Sequence, residues 1–132
     1  MAMSYLFEIS EGNGILTLRV SGERPATEAE VMERHWEILA EVGCRCRENG
    51  INRILMVNTV IGPIPLSSQT IVNIYKSASE LMGLESGVKV GIVVADAWTK
   101  QVSRLAEAIA LEQGSEMRIF DTEARAIAWL ES

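Results

Sequence analysis

The stretch GVKVGIVVADAWTKQVSRLAEAIALEQGSEMRIFDTEARAIAWLES, residues 87–132, constrains the fold more than any other part of the chain. It reads as strand, helix, strand, helix. Val88–Ala95 is a short, continuous apolar run, the pattern of a strand covered on both faces. Asp96 can cap the helix that follows, whose apolar stripe is Trp98, Val102, Leu105, Ala106 and Ile109. Met117–Phe120 is a second short strand. Asp121 or Thr122 then caps a closing helix that carries Ala126, Ile127, Trp129 and Leu130. Strands that alternate with helices imply right-handed crossovers and a largely parallel sheet. The block contains no recognisable catalytic constellation.

The upstream half adds a hairpin and two more units. In YLFEI, Tyr5, Phe7 and Ile9 share one face; in ILTLRV, Leu16, Leu18 and Val20 point inward. EGNG, Glu11–Gly14, lies between them and signals a tight antiparallel turn. Thr27 and Glu30 form a T-x-x-E capping box, so a helix starts there. Its apolar arc is Val31, Met32, Ile38, Leu39, Val42 and Cys46, with Glu33, Glu37, Glu41 and Glu48 opposite. Asn49-Gly50 ends it, with glycine in the left-handed cap position. Ile54–Val57 reads as a buried strand. After the Gly62-Pro-Ile-Pro break, SSQTIVNIYKSASELMG reads as a second helix with the stripe Ile71, Ile74, Tyr75, Ala78, Leu81 and Met82. The pattern predicts one α/β domain over residues 1–132, with a mixed sheet and four helices in the order ββαβαβαβα.

Composition narrows the function classes. The 132 residues suit one domain with a real core. A net charge of −6 argues against nucleic acid and anionic membrane surfaces, which need an excess of Lys and Arg. Arg45, Arg47 and Arg53 are close in sequence but read best as a solvated helix end. No apolar run approaches the ~20 residues that span a bilayer. MAMSYLFEIS has no basic n-region or cleavage-like site, so a cytoplasmic protein is expected. Cys44 and Cys46 point about 200° apart on a helix and cannot share a metal or a disulfide without unwinding. With one histidine and no second cysteine pair, two reduced thiols are expected and no zinc site. Gly12-x-Gly14 is a hairpin turn, not a dinucleotide loop, and no Walker loop, H-E-x-x-H or G-x-S-x-G appears. No cofactor is expected.

The element order and several local phrases resemble the SpoIIAA-like group of the STAS-type fold. The VSGE turn after the second strand, the VKVGIVVADAWTK phrase and the ending MRIFDTEARAIAWL carry the resemblance, which covers nearly the whole chain. In anti-sigma-factor antagonists of this fold, a D-S-S-G segment begins the second helix and one serine is phosphorylated by a partner kinase. Here the matching segment is Leu66-Ser67-Ser68-Gln69, and the preceding strand ends in Asn58 instead of the usual Asp. The serines are kept and their acidic neighbours are not. The group is also compared with the CRAL-TRIO lipid-binding fold, which implies apolar-ligand binding.

Candidate site residues follow from the residues and from this resemblance. A phosphate on Ser67 or Ser68 would meet free N–H groups at a helix start, but a serine there also serves as a plain N-cap. Ile61, Ile64 and Leu66 make the loop after the third strand unusually apolar; they pack on the core, line a ligand mouth, or form a dimer contact. Asp96 and Trp98 crowd the end of a parallel strand, where open α/β sheets place ligand crevices. His35 lies in the first helix's apolar arc without a partner for a triad, and reads as a half-buried histidine, hydrogen-bonded at a helix edge or at a subunit contact. The expectation is a non-enzymatic regulatory or protein-binding module that pairs with a protein partner or with itself as a homodimer. The alternative is a small apolar-ligand or lipid-binding protein.

Overall fold

In the computed structural model of the chain, the structure describes residues 6–23, 27–59, 88–94 and 116–132. The hairpin comes first: β1 (Leu6–Gly12) pairs antiparallel with β2 (Ile15–Ser21), from Leu6 opposite Ser21 to Gly12 opposite Ile15. Only Asn13 and Gly14 lie between the strands. Both have positive φ, 55° and 77°, as a two-residue turn that follows the right-handed strand twist requires. Alternation then sorts the side chains. Phe7 and Ile9 join Leu18 and Val20 on one face, while Glu8 and Ser10 sit opposite Arg19 and Thr17 on the other.

Helix α1 (Glu28–Asn49) begins where Thr27 Oγ1 accepts a hydrogen bond from the Glu30 amide at 3.3 Å. It ends at Gly50, whose φ of 64° turns the chain and whose N–H returns to the Cys46 carbonyl. Ile38, Val42 and Cys46 face the sheet and pack with Leu16, Leu18, Val20 and Ile54. The opposite face is acidic and partly neutralised along the helix itself, by the ion pairs Arg34–Glu37 at 3.0 Å and Arg45–Glu41 at 3.1 Å.

Strands β3 (Arg53–Asn58), β4 (Lys89–Val94) and β5 (Glu116–Phe120) add in parallel, giving a five-stranded mixed sheet of order β1-β2-β3-β4-β5. Helix α2 (Glu123–Glu131) covers the face opposite α1. Thr122 Oγ1 caps it by accepting from the Arg125 amide at 3.3 Å, which decides between the two candidate caps. Ala126 and Leu130 are fully buried against Ile15, Leu55 and Val57. The helix comes close because Gly91 has no side chain: a Cβ there would stand 3.4 Å from the Ala126 Cβ and 3.5 Å from Leu130 Cδ1.

The α/β class and mixed sheet match the sequence reading, but the four-helix order ββαβαβαβα does not. The observed order is ββαβββα, with two helices among the described residues. The stretches read as helices from Ser67 and from Trp98 lie outside those residues. Apolar spacing expresses a local preference, and local preference alone does not place an element.

Candidate functional site at the carboxyl rim of the sheet

Asn58 is the last residue of β3 and the one expected site residue that falls within the described part of the chain. It is half-buried. It pairs with Val20 of β2 on one side and Val94 of β4 on the other. Period-two alternation puts it on the α1 face with Ile54 and Met56. The strand exit is fixed just beyond it: the Thr59 amide donates to the Val20 carbonyl at 2.9 Å and Thr59 Oγ1 to the same oxygen at 3.1 Å. Ser67, Ser68, Ile61, Ile64, Leu66, Asp96 and Trp98 lie outside the described residues.

Helix α1 carries His35 beyond the sheet's first strand pair in sequence. Arg34 lies over the Phe7 ring, 5.7 Å from guanidinium carbon to centroid. Phe7 pairs with Val20, Val20 with Asn58, and Asn58 with Val94. His35 is the next residue along α1 after Arg34. Its ring is edge-on to Trp36, 5.8 Å between centroids at 61°. The residue as a whole is half-buried, yet Nε2 is sealed from solvent and has no hydrogen-bond partner. The half-burial is as expected, and no hydrogen bond is made at Nε2. Burial lowers the pKa from 6.5 to about 4, so at neutral pH the imidazole is uncharged, with one donor and one acceptor nitrogen.

The crevice argument from open α/β sheets rests on Asp96 and Trp98, which lie outside the described residues. Such crevices form where the strand order reverses and neighbouring connections leave to opposite faces. Among the described residues the order β1-β2-β3-β4-β5 contains no reversal.

Neither cysteine is poised for chemistry. Cys44 is exposed, and its thiol donates to a Glu48 carboxylate oxygen at 3.4 Å. That bond, then the charge of Glu48, raises its pKa. Cys46 is buried, and desolvation raises its pKa as well. A raised pKa keeps a thiol protonated and poorly nucleophilic. Among the described residues no group of three or more His, Cys, Asp or Glu could hold a metal ion, and no helix is long and apolar enough to cross a membrane.

Sequence reasoning missed two clusters on the α2 face. Arg19 and Glu123 form a two-point ion pair between β2 and the first turn of α2. Trp129, read as part of an apolar stripe, is half-buried and carries two cations, the Lys89 ammonium 5.0 Å and the Arg118 guanidinium 5.4 Å from its ring centroid. Strand alternation holds the available signal: Lys89 precedes Gly91 and Arg118 precedes Phe120 by two residues, so all four share the face that α2 covers. The chain matches no known family model, and no curated protein matches it.

Proposed function

We propose that this protein is a non-enzymatic regulatory or protein-binding module of the SpoIIAA-like type, cytoplasmic, that acts through the carboxyl rim of its sheet on a protein partner or a second copy of itself. The observation that carries the reading is the position of Asn58. It ends the central strand, flanked by Val20 and Val94, at the point where the segment bearing Ile61, Ile64, Leu66, Ser67 and Ser68 begins. Asp96 and Trp98 follow the neighbouring strand in sequence. Quantitative affinity capture from native cells tests it. A partner retained by the wild-type chain should be lost with Asn58→Lys while the thermal midpoint stays within a few degrees. Equal capture by both chains refutes the rim as the binding surface. Intact-mass measurement of protein from those cells tests the phosphoserine form of the reading, which predicts a phosphorylated fraction that Ser67→Ala or Ser68→Ala removes.

One observation favours a second reading, a small apolar ligand with a single polar group. A buried nitrogen with no partner costs roughly 1–3 kcal/mol, and His35 Nε2 is such an atom. A ligand hydroxyl, carbonyl or carboxyl would satisfy it. Organic extraction of the purified protein followed by mass spectrometry should then recover a stoichiometric compound, and His35→Leu should carry less of it. Empty extracts, with a native mass equal to the bare chain, eliminate this reading.

A further inference from the structure

Strand β1 stands first in the strand order, with β2 as its neighbour in the sheet. The hairpin register decides which of its backbone groups face away from β2. A two-residue turn makes Gly12 and Ile15 a hydrogen-bonded pair, and bonded and non-bonded pairs alternate from there along the ladder. Ser10, Glu8 and Leu6 therefore bond to β2, while Glu11, Ile9 and Phe7 turn their N–H and C=O groups outward. Val20 supports the assignment: its carbonyl accepts from Thr59, on the β3 side and away from its partner Phe7. Among the described residues no backbone hydrogen bond reaches the outward groups of Phe7, Ile9 or Glu11. Leu6, Glu8, Ser10, Glu11 and Gly12 are exposed.

Edge strands are commonly blunted by a lysine, a proline or a bulge. β1 has none of these; its seven residues, LFEISEG, run in unbroken register. Its two carboxylates then decide what can pair with it. Ile9 is the middle residue of the strand and one of those whose backbone faces outward. A two-fold axis beside it sets the whole strand antiparallel to a copy of itself. Ile9 then faces Ile9 of the other copy, Phe7 faces Glu11, Glu8 faces Ser10 and Leu6 faces Gly12. No carboxylate stands directly across from another, an arrangement that would be destabilising. An axis at Glu11 would oppose two glutamates, and an axis at Phe7 would pair less of the strand. Phe7 and Ile9 are only half-buried against the α1-side core, so their open sides would close on those of the other copy. Glu11 is already held by Asn49 Nδ2 at 3.0 Å. Leu6, 56% exposed, is the one exposed large hydrophobic side chain among the described residues. It would lie beside Gly12, where even an added Cβ meets nothing within 4 Å.

We propose that β1 pairs antiparallel with β1 of a second copy of this chain, about a two-fold axis at Ile9, so that one sheet runs through both copies. The same strand serves on each side, and the contact closes on itself. This surface is independent of the rim proposed above: Asn58 ends β3 and His35 lies on α1, so either can fail without the other.

Sedimentation equilibrium of the full chain over a range of concentrations tests it and should show a monomer–dimer equilibrium. Ser10→Glu sets a carboxylate across from Glu8 at both ends of the contact and should weaken the dimer roughly tenfold; Ser10→Lys sets an ammonium there and should tighten it about severalfold. The amides of Phe7, Ile9 and Glu11 should gain protection from hydrogen exchange as concentration rises, and those of Glu8 and Ser10 should change less. Ser10 is exposed, and an unchanged circular dichroism spectrum confirms that both variants fold. Three results overturn the proposal. One is a monomer at every concentration. Another is a dimer that responds equally to Ser10→Glu and Ser10→Lys. The third is a dimer dissociated by Asn58→Lys and indifferent to both Ser10 variants, which assigns self-association to the rim.

Discussion

Arg19 and Glu123 grip each other at two points, Nη2 to Oε1 at 2.7 Å and Nη1 to Oε2 at 3.1 Å, across 104 residues of sequence. The pair ties β2 to the first turn of α2, although that helix packs mainly on β3, β4 and β5. The hydrogen bond to Arg19 holds the Glu123 carboxyl below its ordinary value of 4.5. The two side chains are 49% and 41% exposed, so solvent screening limits the pair to about 0.5–1 kcal/mol. Glu123→Gln should lower stability by about that amount at pH 7, as read from urea midpoints. The folded carboxyl holds its proton more weakly than the unfolded one. Its contribution is therefore complete above pH 4.5 and disappears as pH falls through the lowered folded value. The wild type and Glu123→Gln should converge in stability at low pH; a constant gap would show that charge is not what the pair supplies.

His35 titrates in a different window. Unfolded, its imidazole has a pKa near 6.5; folded, about 4. Between those values the unfolded chain binds more protons, so stability rises with pH across that interval and is level above it. The difference amounts to about 3 kcal/mol lost between pH 6.5 and pH 4. His35→Leu removes the titrating group and the unpartnered nitrogen together. It should be as stable as the wild type at pH 7.5, or more so, and clearly more stable at pH 5. If both proteins lose equal stability between those pH values, the imidazole is not the group responsible.

Gly91 tests the approach of α2 to the sheet. Alanine places its methyl at 3.4 Å from the Ala126 Cβ, which is close contact without overlap, and should change stability by less than about 1 kcal/mol. Valine adds branches where Ala126 and Leu130 already stand, and should cost about 1–3 kcal/mol. Thermal denaturation of both variants distinguishes them. Equal destabilisation by the two would mean that strand conformation, not the contact with α2, demands glycine.

The two thiols should separate by accessibility and by charge. Iodoacetamide at pH 8 should label Cys44 slowly and leave the buried Cys46 untouched until the chain unfolds. Glu48→Gln removes the carboxylate that holds the Cys44 proton and should speed labelling severalfold. Peptide mapping that finds Cys46 modified first would contradict the packing of α1.

How far each feature could be read from the sequence follows the range of the interaction behind it. The hairpin was legible because Asn13 and Gly14 are residues that accept positive φ, and because alternation continues on both sides of them. The limits of α1 were legible because Thr27, Glu30 and Gly50 act within one turn of the backbone they cap. The burial of Cys46 and the exposure of Cys44 followed from helical period alone. The strand order, the ion pair of Arg19 with Glu123 and the cations around Trp129 join residues far apart in sequence, and no local pattern encodes them. At the candidate site, Asn58 was found as a strand end, but its flanking by Val20 and Val94 comes from sheet register. The lack of a partner for His35 Nε2 is likewise a property of the packed structure and has no signature in the helix that carries it.

The strand order β1-β2-β3-β4-β5 also has a consequence for synthesis. Each strand hydrogen-bonds to the one made just before it, so as the chain emerges from the ribosome every new strand finds its neighbour already present. Growth of the sheet in one direction keeps strand partners close in sequence and leaves one unfinished edge at a time exposed to misassociation. The grip of Arg19 on Glu123 must wait until Glu123 is made, after all five strands. It is a latch between the start of the sheet and a helix made after β5.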